Sequence, residues 1–365
     1  MVIGKLIETL ALLVVYPHNH PHITSNECLL QSYIGSYGSQ DVFTPSELCV
    51  NSFTSTADVP PIQLHPGTEL VWVEQAALEQ HLTDYPFSLT SLQTYLATLP
   101  DATHGPQADG QQPLSGPIDT RPLHHTSTSA LLALSPAYTR QLSLVLPPTW
   151  RIYVLPPFPS LPVPEPAIER VRDILSTLRF NPDVAKIVCN ISLPQARNDI
   201  RFLTGEDGKS GIESRSSFSS GALVAAEWLR VRFEETGAEC ELRPFLPGFA
   251  PNVIWYVIEF TYTLFRMNPS RHYSRYPSIE DTTETVLISA HYDSRGSFGS
   301  LRAPGGNDDG SGVTGLLAIA RTIKRLGVKF RSNVELVAFA GEEQGLIGSQ
   351  HYARTSVGLR VSRNL

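Results

Sequence analysis

The chain has 365 residues, which is enough for two domains or for one large domain with a sizeable core. Its formal net charge is -7, which argues against nucleic acid or an anionic membrane surface as a partner, because both require clustered Lys and Arg. No apolar run approaches the roughly 20 residues that span a bilayer. The sequence gives no indication of the oligomeric state.

Two features bear on the compartment in which the protein folds. Lys5 precedes a mostly apolar run over residues 10–16, which is typical of a short secretory leader. Glu8 interrupts this pattern and no cleavage site of small residues follows, so an ordinary buried strand or helix is the competing interpretation. The four cysteines lack C-x-x-C spacing and allow three pairings. They are Cys28, Cys49, Cys189 and Cys240.

Residues 1–154 form one compositional block, in which we find no chemistry. Leucines recur at near-helical spacing over residues 68–99, with a break at Pro86, and predict a helix there. Residues 101–128 are rich in Asp, Gly, Pro, Gln, Thr and His, which predicts an exposed loop. Position alone makes this block a candidate leader or propeptide of unknown role.

A proline-rich segment over residues 155–166 separates this block from a second domain over 167–365. Its sequence, LPPFPSLPVPEP, is typical of an extended, stiff linker. After it, apolar periodicity predicts helices and buried strands in alternation. The helices are expected over 167–180, 216–236 and 312–326, and the strands over 240–245, 285–290 and 334–340. This alternation predicts an α/β fold with a mainly parallel central sheet flanked by helices.

The segment over residues 255–277 does not follow this rhythm. It is aromatic and basic, and it has no clear period. We interpret it as an insertion, and a long loop that caps the functional site is the competing interpretation.

Chemically capable side chains cluster where the predicted strands end. His291 and Asp293 follow the first buried strand, and Glu342 and Glu343 follow the second. Asp308 lies in a glycine-rich turn, GGNDDGSG, directly before a predicted helix. Because ligands bind beyond the carboxyl ends of strands in an open α/β sheet, we expect these residues to converge at one edge. Imidazole and carboxylate sets of this kind bind hard or borderline dications such as zinc.

The spacing of these residues also predicts distinct roles. Residues two apart in an extended segment point the same way, so Asp293 can accept the ring N–H of His291 and leave the other nitrogen for a metal. Adjacent Glu342 and Glu343 point in different directions, so that one can bind metal while its neighbour faces a substrate water. The sequence contains no H-E-x-x-H helix and no G-x-S-x-G elbow, which argues against other metallopeptidases and against a serine esterase or amidase.

The stretches HYDS, APGGNDDGSG and AFAGEEQGLIGSQHYA together resemble the motifs of the di-zinc, co-catalytic aminopeptidases, which include secreted bacterial and fungal leucine aminopeptidases. SFSSGALVAAEWLRVRFEETGA is similar to that family's first helix. The resemblance covers roughly residues 165–355, apart from 255–277. It implies the zinc-peptidase fold, peptide substrates, two zinc ions and secretion.

By this resemblance, each site residue acquires a role. His291 would bind one zinc, Glu343 would bind the other, and Asp308 would bridge both. Glu342 would be the general base, Asp293 would hold His291, and Asp309 would stabilise the turn. The implied activity is that of an exopeptidase, an aminopeptidase that hydrolyses N-terminal peptide bonds with a metal-activated water.

The sequence departs from this family in one respect. The family has two further ligands after the glutamate pair, an acidic residue at a strand end and a histidine near the C-terminus. After Tyr352 the chain reads ARTSVGLRVSRNL, and His351 is a poor substitute for the histidine. We therefore expect a truncated family member, with a C-terminally incomplete fold, that is inactive as written.

Other functions stay open at this point. A degenerate or mis-assembled chain that serves only as an interaction domain would explain the missing ligands. A carboxypeptidase or a single-zinc aminoacyl cyclase would share the fold, but the Asp-Asp-Gly-Ser-Gly turn after the H-x-D motif favours a two-metal peptidase.

Overall fold

The computed structural model of the protein describes most of the chain in two compact units, Met1–Leu178 and Arg179–Leu365. The described residues are 12–18, 20–21, 23, 26–53, 62–64, 67–76, 86–99, 122–159, 165–256, 276, 278–280, 282, 284–296, 300 and 302–361. Each unit has its own apolar core.

The first unit is built on strands. Its strands are β1 (Leu12–Pro17), β2 (Tyr33–Tyr37), β3 (Gln40–Phe43), β4 (Ile62–Gln63), β5 (Glu69–Gln75), β6 (His124–His125), β7 (Ser129–Leu134) and β8 (Trp150–Val154). Its helices are α1 (Glu27–Leu30), α2 (Glu47–Phe53), α3 (Leu89–Leu96), α4 (Pro136–Thr139), α5 (Leu142–Val145) and α6 (Glu165–Thr177). The strands form two antiparallel sheets, in the orders β2-β3-β1-β4 and β6-β7-β5-β8.

The two sheets of the first unit share one apolar cluster. Leu13 of β1 and Val42 of β3 pack with Trp72 of β5 and Leu131 of β7, and all four side chains are fully buried. A disulfide joins Cys28 to Cys49 and so links α1 to α2, whereas Cys189 and Cys240 are free.

Two predictions for the first unit need correction or lie outside the described residues. The helix predicted over 68–99 is wrong for Glu69–Gln75, which is strand β5, and a helix is present only over Leu89–Leu96. Residues 69–75 contain only one leucine, Leu70, and ladder bonds from β7 and β8 on both sides of β5 hold them extended. Of the predicted leader, residues 1–11 lie outside the described part, whereas Leu12–Pro17 form a buried strand.

The linker and domain limits stay a prediction. Residues 160–164 of the proline-rich segment lie outside the described residues, and α6 begins at Glu165 within its predicted end.

The second unit combines helices with one sheet, and helices and strands alternate only from β11 onward. Its strands are β9 (Glu239–Arg243), β10 (Asn252–Tyr256), β11 (Thr285–His291) and β12 (Asn333–Phe339). Its helices are α7 (Pro182–Val188), α8 (Leu193–Leu203), α9 (Ser220–Glu234), α10 (Ser311–Leu326) and α11 (Ile347–Val361). The predicted strands and helices of this domain are confirmed to within a few residues at their ends. Strand β12 is buried as predicted, whereas the prediction of a buried strand is wrong for β11, in which Val286 and Leu287 are exposed. The α/β class of the domain is thereby established.

The prediction of a mainly parallel sheet is wrong for the described strands. The sheet has the order β11-β12-β10-β9, in which β11 and β12 are parallel but β10 is antiparallel to both β12 and β9. Helix α10 provides the crossover that a parallel pair needs, whereas the short connection over 244–251 returns β10 antiparallel to β9. A buried strand has the same apolar character in either arrangement, so the sequence did not reveal this mixture.

Helices cover both faces of the sheet in the second unit. On one face, Leu229 of α9 and Leu317 of α10 share a core with Leu336 of β12. On the other face, Tyr352 of α11 packs against Val337 of β12. Among the described helices, none combines the length and apolarity that a membrane crossing requires.

The insertion predicted at 255–277 falls mainly outside the described residues. Trp255 and Tyr256 end β10, and the backbone of Tyr276 pairs with Val334 of β12. Residues 257–275 and 277 are not among those described, so the insertion stays a prediction.

Candidate metal centre

The parallel pairing of β11 and β12 brings the predicted site residues to one edge of the sheet. The register places His291 opposite Phe339, so both strands end at the same level. Glu342 and Glu343 follow β12 directly, and Asp308 lies in the turn Gly306–Gly310 that leads from β11 into α10. All three segments therefore meet at the carboxyl ends of the two strands, as expected for an α/β sheet.

Three of these side chains form a compact group of ligand atoms. One atom each from His291, Asp308 and Glu343 lie within 4.8 Å of one another. Nε2 of His291 lies 2.9 Å from Oδ1 of Asp308 and 3.8 Å from Oε2 of Glu342. The side chains of His291 and Glu343 are 13% and 10% exposed, whereas that of Asp308 is 73% exposed. The group thus has two buried members and one that is open to solvent.

The turn that carries Asp308 approaches its neighbours closely. Gly305 has a φ of 51°, and a Cβ at this position would lie 2.4 Å from Cβ of Ser294. Only glycine fits there without displacing the turn. The carboxylate of Asp309 accepts hydrogen bonds from the backbone N–H groups of Gly312, at 2.9 Å, and His291, at 3.3 Å. Asp309 therefore ties the turn to the end of β11, as the resemblance implied.

Asp293 is fully buried and organises the glutamate pair as well as the histidine. Nδ1 of His291 lies 3.2 Å from the Asp293 carbonyl oxygen and 3.5 Å from its Oδ1. The nearer partner of this ring nitrogen is thus the backbone oxygen of Asp293, and the role of Asp293 toward a metal-bound histidine stays a prediction. The carboxylate of Asp293 accepts the backbone N–H groups of Glu342, at 3.3 Å, and of Glu343, at 3.4 Å. It thereby fixes the turn in which both glutamates lie.

Burial changes the acidity of the two glutamates. Burial raises the pKa of Glu343 to about 8, although the Arg295 guanidinium, 3.4 Å away, opposes the change. Burial also raises the pKa of Glu342, against the attraction of His291. A carboxyl group with a raised pKa is a better proton acceptor, which suits the base that the sequence predicts at this place.

His291 responds to the surrounding carboxylates. Burial is the largest single influence and lowers its pKa, but hydrogen bonds to Asp293 and Asp308 and the charges of Asp293 and Glu342 together outweigh burial and raise the pKa to about 11. Without a bound cation, the imidazolium therefore supplies the positive charge that balances these acids.

The donor set fits a zinc ion. Catalytic zinc binds three protein ligands drawn from histidine and carboxylates and keeps a further position for water or substrate. Ligands at about 2.0–2.2 Å from an ion lie within roughly 4.4 Å of one another, so the observed group needs only small side-chain adjustments. The carboxylates of Asp293, Asp308, Glu342 and Glu343 near this place also favour a bound cation.

Several residues that shape this site were not predicted from the sequence. Arg215 and Ser217 lie in the segment before α9 and bond to the loops that carry the site residues, and Arg295 neighbours Glu343. Asn252 of β10 accepts the N–H of Ala340 and donates to the Gly348 carbonyl. Ser217 begins the stretch that resembles a known first helix, whereas Arg215 lies two residues before that stretch and carried no such signal.

The C-terminal part of the chain matches a known family. Residues 275–363 match the model of Peptidase family M28. A "Probable zinc metalloprotease" of Pyrenophora teres f. teres is 32% identical over 190 residues, which covers 50% of this chain and 40% of that protein. Aminopeptidase YwaD of Bacillus subtilis is 41% identical over 69 residues, which covers 19% of this chain and 14% of that protein. The chain thus spans less than half the length of these relatives.

The chain also has a distant likeness to solved structures. LapA aminopeptidase of Legionella pneumophila is 15% identical, covers 81% of this chain and 67% of that one, and superposes with a TM-score of 0.45.

Proposed function

Because residues 275–363 match the model of Peptidase family M28, we propose that this chain is a zinc-dependent exopeptidase that removes N-terminal residues from peptides. The observation that carries this proposal is the group of His291, Asp308 and Glu343, whose ligand atoms lie within 4.8 Å at the end of two parallel strands. The names of the relatives, zinc metalloprotease and aminopeptidase, support the metal and the reaction class.

His291, Asp308 and Glu343 would hold the zinc ion. When bound, zinc polarises a carbonyl group and makes a water molecule more acidic. One catalytic zinc needs three protein ligands, and this group supplies three. We therefore propose activity for this chain, in place of the inactivity that the two missing ligands led us to expect. The resemblance also implied a second zinc ion. That ion would need ligands other than the three residues of this group.

Glu342 is the proposed general base. Its raised pKa favours uptake of a proton from the attacking water, and the same carboxyl group then returns that proton to the leaving amine. Asp293 holds the backbone of Glu342 and fixes the orientation of His291. These contacts keep base and ligands in one arrangement throughout the reaction.

We also propose that the protein folds in an oxidising compartment, such as the secretory pathway. The disulfide between Cys28 and Cys49 supports this, because such bonds persist outside the reducing cytosol. Peptide mapping of the natively expressed protein without reductant would find the linked peptides, whereas two free thiols would contradict the proposal.

Peptidase assays test the proposed activity. We expect zinc-dependent hydrolysis of leucine 4-nitroanilide, no hydrolysis of its N-acetylated form, and loss of activity with 1,10-phenanthroline. Cleavage only of N-blocked peptides at their C-terminal residue would identify a carboxypeptidase instead. Absence of hydrolysis by a zinc-loaded, folded chain would overturn the proposed activity.

A further inference from the structure

A fully buried arginine lies behind the candidate metal centre. Nε of Arg215 donates to the carbonyl oxygen of Tyr292 at 2.7 Å, and Nη2 donates to that of Gly305 at 2.8 Å. Its Nη1 donates to the carbonyl oxygens of Leu203, at 2.8 Å, and Pro304. One guanidinium thus joins the segment after His291 to the segment that leads into the Asp308 turn.

A buried serine two residues later joins a different pair of segments. The hydroxyl of Ser217 donates to Oδ2 of Asp293 at 2.9 Å and accepts the N–H of Gly341 at 2.8 Å. Asp293 in turn accepts the N–H groups of Glu342 and Glu343. The serine therefore connects the segment after β11 to the glutamate turn after β12.

We propose that Arg215 and Ser217, together called the Arg215–Ser217 brace, are positioning residues that set the spacing between the three ligand-bearing segments. The proposal rests on the metal-binding part of the proposed function. Arg215 acts on the His291 and Asp308 segments, and Ser217 acts on the His291 and Glu343 segments.

The chemistry of these residues suits that role. Arginine offers five N–H donors in a rigid fork, so that one side chain can fix several carbonyl groups at once. A buried cation also offsets the repulsion among the carboxylates of Asp293, Asp309 and Glu343, which all act on Arg215 electrostatically. The serine hydroxyl both donates and accepts, so it can bridge a carboxylate and an N–H group.

Two substitutions and one matched control distinguish a positioning role from simple packing. Ser217→Ala removes the bridging hydroxyl and changes the side-chain volume little. Ser216→Ala is the matched control, because it makes the same chemical change one residue earlier and the structure describes no hydrogen bond of the Ser216 hydroxyl. Arg215→Lys keeps the positive charge but loses the fork.

Zinc affinity, measured by competition with a chromophoric chelator, is the first measurement. Loss of a partner that orients metal ligands typically lowers metal affinity about 10–100-fold. We expect that loss for Ser217→Ala and Arg215→Lys, with Ser216→Ala unchanged and thermal unfolding still cooperative in all three. A zinc affinity of Ser217→Ala equal to that of Ser216→Ala would overturn the proposal.

Hydrogen–deuterium exchange of the metal-free chain is the second measurement and does not depend on zinc. We expect faster exchange at Gly341, Glu342 and Glu343 in Ser217→Ala than in Ser216→Ala, because the hydroxyl anchors this turn directly and through Asp293. Unchanged exchange there, or equal acceleration over the whole second unit, would also overturn the proposal. A parent chain that binds no zinc but shows the local effect would refute the proposed function and leave the brace as the element that holds these segments.

Discussion

At the scale of single residues, two adjacent glutamates occupy unlike environments. The side chain of Glu342 is 36% exposed and faces His291, whereas that of Glu343 is 10% exposed and lies against Arg295. The two side chains point in different directions because they are adjacent along the main chain. The Asp293 carboxylate accepts hydrogen bonds from both N–H groups and so holds the two residues in this arrangement. The two carboxylates are therefore predicted to respond differently to the same substitution.

Glu342→Gln tests the base. The amide keeps the shape of the side chain but cannot accept a proton, so we expect kcat to fall by about 10²–10⁴-fold while zinc affinity changes little. Glu280→Gln is the control, because Glu280 is an exposed carboxylate paired with Arg331. Kinetics with leucine 4-nitroanilide and zinc titration provide both values, and full activity of Glu342→Gln would refute the assignment.

Glu343→Gln tests the electrostatics of the metal-free site. The folded-state pKa of about 8 exceeds the ordinary value of 4.5, so the folded chain binds this proton more tightly than the unfolded chain. The resulting stability is fully present below pH 4.5 and is lost as the pH rises through 8.

We therefore expect the free energy of unfolding of the parent, relative to Glu343→Gln, to fall over this range by up to about 1.4 kcal/mol per pH unit. Urea denaturation at pH 4.5 and pH 8 in the presence of a chelator measures this difference. Parallel pH profiles of parent and variant would show that burial does not control this carboxyl group.

The residues that could be found from the sequence were those with chemistry of their own. His291, Asp293, Asp308, Glu342 and Glu343 were selected because each follows a strand or precedes a helix, and the structure places them at one edge. Arg215 and Ser217 escaped, because they act through hydrogen bonds to backbone groups distant in sequence, and such contacts leave no local pattern.

At the scale of elements, the tight packing of α11 against the sheet fixes the glutamate turn from its other end. Asn252 of β10 bonds to Gly348 and Ala340, so the first turn of α11 lies directly on the end of β12. A Cβ on Gly348 would lie 2.0 Å from the Ala340 carbonyl oxygen, whereas one on Gly315 in α10 would meet nothing within 4 Å. Alanine substitutions of these two helix glycines are thus predicted to have opposite effects on the stability of the protein.

Gly348→Ala and Gly315→Ala form a matched pair. We expect Gly315→Ala to stabilise the chain by roughly 0.5–1 kcal/mol, since alanine restricts the unfolded chain and favours helix. Gly348→Ala should destabilise it by about 1–3 kcal/mol, because the added methyl group forces the helix away from the strand. Thermal unfolding measures both, and destabilisation of equal size would refute the packing argument.

Helices and strands could be predicted from the sequence where the apolar periodicity extends over many residues. They could not be predicted where the conformation depends on neighbouring strands. Helix α10 carries sixteen residues of helical spacing and ends at Gly327, which has the left-handed φ of 59°, so its limits could be predicted closely. Strand β5 could not be predicted, since its strand conformation depends on β7 and β8. The direction of β10 depends on how the chain returns to the sheet, and no single segment encodes it.

At the scale of the whole molecule, the chain divides its cysteines by unit. The first unit contains the disulfide, and the free cysteines Cys189 and Cys240 lie in the second. Cys28 and Cys49 are separated by 21 residues in sequence, so the bond between them constrains the unfolded first unit. A change in redox conditions is therefore predicted to change the stability of the first unit.

Reduction, or the double variant Cys28→Ala with Cys49→Ala, should lower the stability of the first unit by about 3 kcal/mol. Hydrogen–deuterium exchange of peptides from β1, β3 and β5 reports this change. Cys189→Ser is the control, because that thiol is exposed and unpaired with another cysteine. Unchanged protection of these strands after reduction would contradict the prediction.

Because of the register of β11 on β12, the number of residues in β11 decides whether His291 reaches the other metal ligands. From Thr285 opposite Asn333 to His291 opposite Phe339, every paired position fixes which face of the sheet a side chain occupies. A slip of one residue would turn His291 to the opposite face and away from Asp308. A single-codon deletion within 285–291 should therefore abolish metal binding even if every ligand survives, while one of similar size in the loop after α10 should be tolerated.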